Sequence, residues 1–134
     1  INYTVTDSNA VTNPEFITLS SYDDRPLVGQ PDDILNIQIG YYGSDDSRLS
    51  LIYNDVGNRI RELGSDVIPN VMEDLPETLD IVYKKTFQAI DGNLDLTIKL
   101  RNLLEEPYEA LQGNEVYETY SSSSSISIGL KYSY

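Results

Sequence analysis

The last twelve residues of the sequence, 123–134, constrain its fold more than any other segment. Apolar and polar side chains alternate strictly here, and one parity holds the apolar residues Ile126, Ile128, Leu130, Tyr132 and Tyr134. Because successive side chains of a β-strand point to opposite faces, the segment predicts a strand with one apolar and one polar face. Its aromatic end is typical of a transmembrane β-strand that finishes in an interfacial girdle.

The same alternation recurs in five earlier segments. It is sharpest in residues 94–101, where Leu94, Leu96, Ile98 and Leu100 alternate with polar and charged residues. The other four segments are residues 1–6, 34–42, 48–55 and 78–87. We therefore predict six strands, all but the first near the roughly 9–11 residues that a tilted strand needs to cross a membrane.

Short and long connections alternate between the predicted strands. The short turns lie at residues 43–46 and 89–92, and the long connections at about residues 8–32, 62–78 and 104–120. This layout is typical of an outer-membrane barrel with short periplasmic turns and long extracellular loops. We expect the C-terminus and both short turns in the periplasm.

The three long connections carry the whole net charge of the sequence, which is −13. One interpretation is an outer mouth that attracts cations or a metal-bearing ligand. The other is a solvated acidic surface without a specific partner. Acidic pairs at Asp23-Asp24, Asp32-Asp33 and Asp45-Asp46 also suggest calcium, although none has EF-hand spacing.

Composition argues against several other classes. No run of about 18 apolar residues predicts a transmembrane helix, and cysteine and histidine are absent. The sequence has no catalytic triad, metal-ligand set or phosphate-binding loop, so we predict neither an enzyme nor a cofactor or metal site. Its acidic balance disfavours nucleic acid as a partner. The start at Ile1 resembles a cut inside a longer polypeptide.

Six strands are too few to close an outer-membrane barrel, for which about eight is the lower limit. An open sheet in lipid would leave unpaired backbone groups at two edges. Either the sequence is the C-terminal part of a larger barrel, or it is a soluble acidic β-sandwich that serves as a binding or adhesion module. A passive porin is a third alternative.

From about Arg25 onward the sequence resembles the C-terminal barrel portion of a TonB-dependent outer-membrane receptor. The resemblance is carried, in family order, by the segments 25–31, 49–54 with Gly57, Arg59 and Gly64, 69–71, 75–76 with 79–80, and 102–104. The closing pattern of Ser127, Gly129, Tyr132 and Tyr134 resembles the signal that the barrel assembly machinery recognises, with Tyr in the last position where Phe is usual. Residues 1–24 match only by strand pattern.

The resemblance implies an all-β, antiparallel transmembrane barrel of about 22 strands, of which residues 1–134 supply the last six. It implies a bacterial outer-membrane receptor that imports a scarce nutrient of the ferric siderophore, cobalamin, haem or glycan class. Its partners would be the rest of the barrel and an upstream plug, the TonB complex acting through that plug, the assembly machinery, lipid and lipopolysaccharide.

Five residues are candidates for facing a ligand, although each has a structural interpretation as well. They are Asn54, Arg59, Tyr108, Tyr117 and Tyr120. Asn54 and Arg59 could instead make lumen hydrogen bonds near a bulge, and the tyrosines could instead belong to the outer aromatic girdle. The sequence leaves both interpretations open.

Overall fold

A computed structural model describes residues 1–10, 25–65 and 67–134 of the chain. The described residues form an all-β structure with antiparallel sheets. Its strands are β1 (Asn2–Val5), β2 (Asp33–Tyr42), β3 (Ser47–Val56), β4 (Arg59–Glu62), β5 (Val71–Asp74), β6 (Thr78–Ala89), β7 (Gly92–Arg101), β8 (Pro107–Gln112), β9 (Glu115–Ser121) and β10 (Ser125–Ser133). Within these residues, no helix is long and apolar enough to span a membrane.

Six strands form one antiparallel sheet in the order β1-β2-β3-β6-β7-β10. They correspond to the six segments in which the sequence alternates, so these strand predictions are confirmed. Both short turns are confirmed as well. The β2–β3 turn is closed by the Gly43 N–H, which donates to the Ser47 carbonyl at 2.8 Å, and the β6–β7 turn by the pairing of Ala89 with Gly92.

Strand register gives the six-stranded sheet one apolar face and one polar face. Leu49 on β3 lies between Tyr41 on β2 and Tyr83 on β6, and Ile98 on β7 lies between Tyr83 and Ile128 on β10. The opposite, polar face carries in the same way a row that includes Arg48, Lys84, Thr97 and Gly129. The alternation within single strands therefore becomes a continuous surface across the whole sheet.

A second, four-stranded sheet is formed mainly by two of the connections that the sequence analysis left without strands, together with the residues directly before the first of them. Its order is β4-β5-β8-β9. In sequence, β4 follows β3, β5 precedes β6, β8 follows β7 and β9 precedes β10, so its order repeats the order β3-β6-β7-β10 of the larger sheet. The second sheet thus continues the wall of the first one at the end away from the two short turns.

The buried residues of the described chain belong to the four-stranded sheet. They are Ile60, Val71, Glu73, Tyr108 and Ala110, and Leu75 packs against this cluster. In the six-stranded sheet every described residue is at least partly exposed. Neither of its faces is therefore covered by the described part of the chain, whereas the inner faces of a sandwich would be buried.

The sheet is not a closed barrel. In the described part of the chain, β1 and β10 each pair with one neighbour and leave the other edge unpaired. The number of strands in any complete barrel is therefore not defined by this structure.

Candidate functional site

A polar network joins the strands of the four-stranded sheet. Arg59 Nε on β4 donates to Glu73 Oε1 on β5 at 2.5 Å, and the Tyr108 hydroxyl on β8 donates to Glu73 Oε2 at 2.7 Å. Only 10% of the Glu73 side chain is exposed. Because a buried carboxylate is costly without partners, these two donors are what allow an acidic residue at this position.

Arg61 extends the network to β9. Its Nη1 donates to the Tyr108 hydroxyl at 2.9 Å and to Glu118 Oε2 at 2.5 Å. We call Arg59, Arg61, Glu73, Tyr108 and Glu118 the outer network. It links all four strands of the sheet through charge-assisted hydrogen bonds.

Contacts within the outer network determine the protonation states of its members. Burial raises the pKa of Glu73, but the hydrogen bonds from Tyr108 and Arg59 outweigh burial and hold that pKa below its usual value. Burial and the bond to Glu73 raise the pKa of Tyr108. The bonds to Glu118 and Tyr108 raise the pKa of Arg61. At neutral pH, Glu73 is therefore a carboxylate, Arg61 a cation and Tyr108 a neutral donor.

Two exposed tyrosines border the outer network. The Tyr120 ring stacks on the Tyr108 ring with centroids 4.6 Å apart, and the Arg61 guanidinium lies 5.8 Å from the Tyr117 centroid. Tyr117 is 49% exposed and Tyr120 is 56% exposed. An aromatic ring held by a stacked partner or a cation offers a rigid surface for a ligand at low entropic cost.

The structure places the five candidate ligand-facing residues differently from one another. Arg59, Tyr108, Tyr117 and Tyr120 come together around the outer network, but Tyr108 is only 4% exposed and its hydroxyl is already bonded to Glu73. Tyr108 is thus a packing residue in this structure and does not present a surface to a ligand. Asn54 lies apart, and its amide donates to the Thr78 hydroxyl at 3.2 Å on the polar face of the six-stranded sheet. In this structure Asn54 therefore bonds to the neighbouring strand β6.

Three members of the outer network were missed by sequence reasoning. Glu73 and Glu118 are charged residues in predicted loops, and Arg61 lies directly before one of them, where a solvated surface is the simplest interpretation. Their roles depend on register, which pairs Arg59 with Glu73, and Glu73 and Glu118 with Ala110. The sequence signal that could have revealed them is the presence of two arginines, Arg59 and Arg61, directly before the acidic connection 62–78.

The predicted assembly-signal residues lie on the last strand. Gly129 is on the polar face and Tyr132 on the apolar face, where it pairs with Leu94, and Tyr132 is 51% exposed. Ser127 pairs with Lys99, and Tyr134 follows the strand fully exposed. A Cβ added at Gly129 would have its nearest neighbour, the Thr97 carbonyl oxygen, at 3.9 Å. Packing in the described residues therefore does not require a glycine here.

The calcium interpretation gains no support from the described residues, since no three acidic side chains there converge in a way that could hold a metal ion. Asp45 instead accepts from the Ser47 hydroxyl at 2.5 Å and pairs with Lys85 Nζ at 2.5 Å. The Asp23-Asp24 pair lies outside the described residues.

Comparison of the chain with models of protein families, with curated proteins and with solved structures found no match.

Proposed function

We propose that this chain forms part of the wall and outer rim of a TonB-dependent outer-membrane receptor. In this function the protein imports a scarce nutrient of the siderophore, cobalamin, haem or glycan class and performs no chemistry on it. The observation that carries the proposal is the continuous apolar face of the six-stranded sheet, which the described part of the chain leaves uncovered. The choice of the TonB-dependent receptor family rests on the resemblance of the sequence described above.

The apolar face is costly in water and favourable in lipid. Ile39, Ile126 and Leu130 on this face are 58%, 66% and 68% exposed. Apolar surface in contact with water costs about 25 cal/mol per Å², and soluble monomers rarely expose patches above a few hundred Å². Strands of ten residues rise about 33 Å, which suffices for a tilted strand to cross the apolar band of an outer membrane.

Charged side chains on the apolar face lie towards its two ends, which supports the same placement. Asp33 and Asp55 lie at the end away from the short turns. In β6, Lys85 has the parity of the apolar residues, but it lies near the short turns and its ammonium group pairs with Asp45 in the β2–β3 turn. A lysine near the end of a membrane strand can extend its ammonium group to the interface in this way. The middle of this face, around Leu51, Ile81, Ile98 and Ile128, holds only apolar side chains.

The two unpaired edges fit a sheet that continues in both directions. Backbone groups at a sheet edge cannot remain unpaired in lipid, so β1 and β10 would pair with further strands of the same wall. The four-stranded sheet would then rise above the membrane as the outer rim. Tyr117 and Tyr120 on that rim are the side chains we propose for first contact with the nutrient.

The alternative is a soluble acidic β-sandwich that binds a partner through its charged connections. The compact cluster of Val71, Tyr108 and Ala110 favours it, because a sheet with such a core is stable in water. It leaves the apolar face of the larger sheet unexplained.

The denatured mass of the polypeptide in detergent-extracted outer membranes tests the proposal. An immunoblot with an antibody against residues 105–120 should detect a band several times larger than 15.1 kDa that requires detergent for extraction. A species near 15.1 kDa that stays in solution without detergent would overturn the proposal and support the sandwich.

A further inference from the structure

Tyr120 on β9 has one face of its ring supported and much of its surface exposed. The ring stacks on that of Tyr108, with centroids 4.6 Å apart and an angle of 20° between the planes. Tyr108 is itself held in place, because it is buried and its hydroxyl group is bonded to Glu73 and Arg61. Tyr120 thus rests on a rigid support while 56% of its surface is exposed.

Tyr117 on the same strand is held in a similar way. The Arg61 guanidinium lies 5.8 Å from the centre of its ring, and its hydroxyl group lies 3.5 Å from Glu62 Oε2. The residue is 49% exposed. Because Arg61 also donates to the hydroxyl of Tyr108, the ring that supports Tyr120, both exposed rings border the same side of the sheet.

We call Tyr117 and Tyr120 the tyrosine pair. Its members are three residues apart on an extended strand, so at about 3.3 Å per residue their Cα atoms lie about 10 Å apart. A compact ligand with a single ring can stack on only one of them. A ligand built from several linked rings can stack on both.

The polar groups beside the tyrosine pair are suited to bind hydroxyl groups. Arg61 Nη1 is 2.5 Å from Glu118 Oε2, so the guanidinium and this carboxylate neutralise each other. The side chains of Arg61, Glu62 and Glu118 are nevertheless 31%, 51% and 43% exposed. They present hydrogen-bond donors and acceptors side by side, next to two aromatic rings.

Charge around the tyrosine pair disfavours a ligand with net charge of either sign. The four strands of this sheet hold two basic and six acidic residues, so an anion such as haem, with its propionate groups, or a ferric catecholate is repelled. A cation on the Tyr117 ring would lie close to the Arg61 guanidinium. These contacts favour a neutral ligand that has apolar faces and many hydroxyl groups.

A sugar ring has this chemistry, since its C–H groups form an apolar face and its hydroxyl groups project from its edge. We propose that the tyrosine pair binds a neutral oligosaccharide, with sugar rings stacked on Tyr117 and Tyr120 and hydroxyl groups bonded to Arg61 and Glu62. The inference rests on the proposed function and selects the glycan among its four nutrient classes. Its new content is that choice and the residues that recognise the ligand.

Binding of neutral oligosaccharides to the full receptor in detergent tests the inference. The probes are oligosaccharides of glucose, xylose, mannose, galactose and N-acetylglucosamine, immobilised for screening and then free in solution for calorimetry. We expect at least one of them to bind. Tyr117→Ala and Tyr120→Ala should each weaken its binding about tenfold, because each variant removes one stacking contact.

Conservative variants and a neighbouring residue provide the controls. Tyr117→Phe and Tyr120→Phe keep the rings and should bind almost as tightly as the unaltered receptor. Val116→Ala removes an exposed apolar side chain of the same strand and should leave binding unchanged. Tyr120→Ala also uncovers the Tyr108 ring, so amide hydrogen exchange of β8 checks that the sheet stays folded. If it does not, Tyr117→Ala alone decides the outcome.

The inference is overturned if the receptor binds none of the probes, or if Tyr117→Ala leaves the affinity for a bound probe unchanged. It is overturned as well if haem, a ferric siderophore or cobalamin binds instead and loses affinity in the same variants. Each of these results, obtained with a full-length, detergent-dependent receptor, leaves the proposed function standing. A soluble polypeptide near 15.1 kDa contradicts the receptor itself before any ligand is measured.

Discussion

The side chain of Glu73 connects three strands of the four-stranded sheet. Its two carboxylate oxygens accept from Arg59 on β4 and from Tyr108 on β8, and the residue itself is on β5. A residue bonded to both neighbouring strands fixes their register as well as their separation. Its substitution should therefore affect the three strands together.

We expect Glu73→Gln to destabilise the four-stranded sheet by about 1–3 kcal/mol, because a charge-assisted pair becomes a neutral one in a buried setting. The measurement is amide hydrogen exchange of β4, β5 and β8 in the detergent-solubilised protein. Glu109→Gln is the matched control, since Glu109 lies exposed on β8 of the same sheet. Equal protection in the two variants would contradict the role of Glu73.

The same residue predicts a pH dependence of defined sign. The folded-state pKa of Glu73 is lowered, so its contribution is fully present above the unfolded-state pKa of about 4.5. The contribution is lost as the pH falls from there through the lower folded value. Protection of β5 should decline over this acidic range in the native protein and much less in Glu73→Gln. A decline of the same size in both would assign it to other carboxyl groups.

At the scale of elements, the length and regularity of a strand decide whether its sequence reveals it. β7 has ten residues of unbroken alternation and was predicted to within two residues at its start. β4 and β5 have four residues each, and register shifts between Ile60 and Glu62 and between Ala110 and Leu111 interrupt the alternation. A bulge reverses the facing of every residue beyond it, so a pattern of period two is lost.

The candidate site, like the set of strands, was predictable from the sequence only in part. Arg59, Tyr117 and Tyr120 stand out in the sequence as residue types suited to a ligand surface, and the structure brings them to one sheet. The burial of Tyr108 and its bond to Glu73 depend on how β5 and β8 pair, and no local pattern specifies that register. Pairing between distant strands is thus the information that sequence reasoning lacked.

Substitutions at Gly92 and Gly129 can distinguish the folding of the last strand from its proposed recognition during assembly. A Cβ at Gly92 would clash with the backbone carbonyl oxygen of Ser133, whereas at Gly129 its nearest neighbour would be 3.9 Å away. We expect Gly92→Ala to weaken the β7–β10 pairing by about 1–3 kcal/mol, and so to lower both refolding in detergent and yield in the outer membrane. If the strand carries the proposed assembly signal, Gly129→Ala should refold normally and lose yield only in cells.

The two measurements for that pair of variants are heat-dependent mobility of refolded protein and the amount recovered from outer membranes. Normal cellular yield of Gly129→Ala would remove Gly129 from the assembly signal. A refolding defect as large as that of Gly92→Ala would show that Gly129 serves packing. Either result leaves the six-stranded sheet itself unaffected.

At the scale of the whole molecule, two surfaces with opposite solvent preferences lie back to back. The apolar face favours lipid, the polar face favours water, and the four-stranded sheet has its own small core. A soluble sandwich would need a cover for the apolar face, while a membrane wall needs only the bilayer. The environment of that face therefore separates the two proposed functions directly.

Site-directed spin labelling measures this environment residue by residue. Residues 1–134 contain no cysteine, so single cysteines can be introduced along β7 from Leu94 to Lys99. In vesicles containing the full protein, we expect oxygen accessibility, which reports lipid, to peak at Leu94, Leu96 and Ile98. The intervening positions, on the polar face, should have lower oxygen accessibility, because in the proposed receptor they would face away from lipid. The expected period of two follows from the strand geometry alone.

The size of the alternation in oxygen accessibility along β7 distinguishes the receptor from the soluble sandwich. If the apolar residues face lipid, labels at Leu96 and Ile98 are accessible to oxygen and protected from a water-soluble nickel complex. If they instead face a protein core, the same labels are protected from both reagents, and the receptor proposal fails although the strand and its register stand. Because Ile98 is flanked by Tyr83 and Ile128 on the neighbouring strands, its label is the most sensitive to this difference. A protected Ile98 beside an oxygen-accessible Leu94 would place the strand across a protein interface and not across a bilayer.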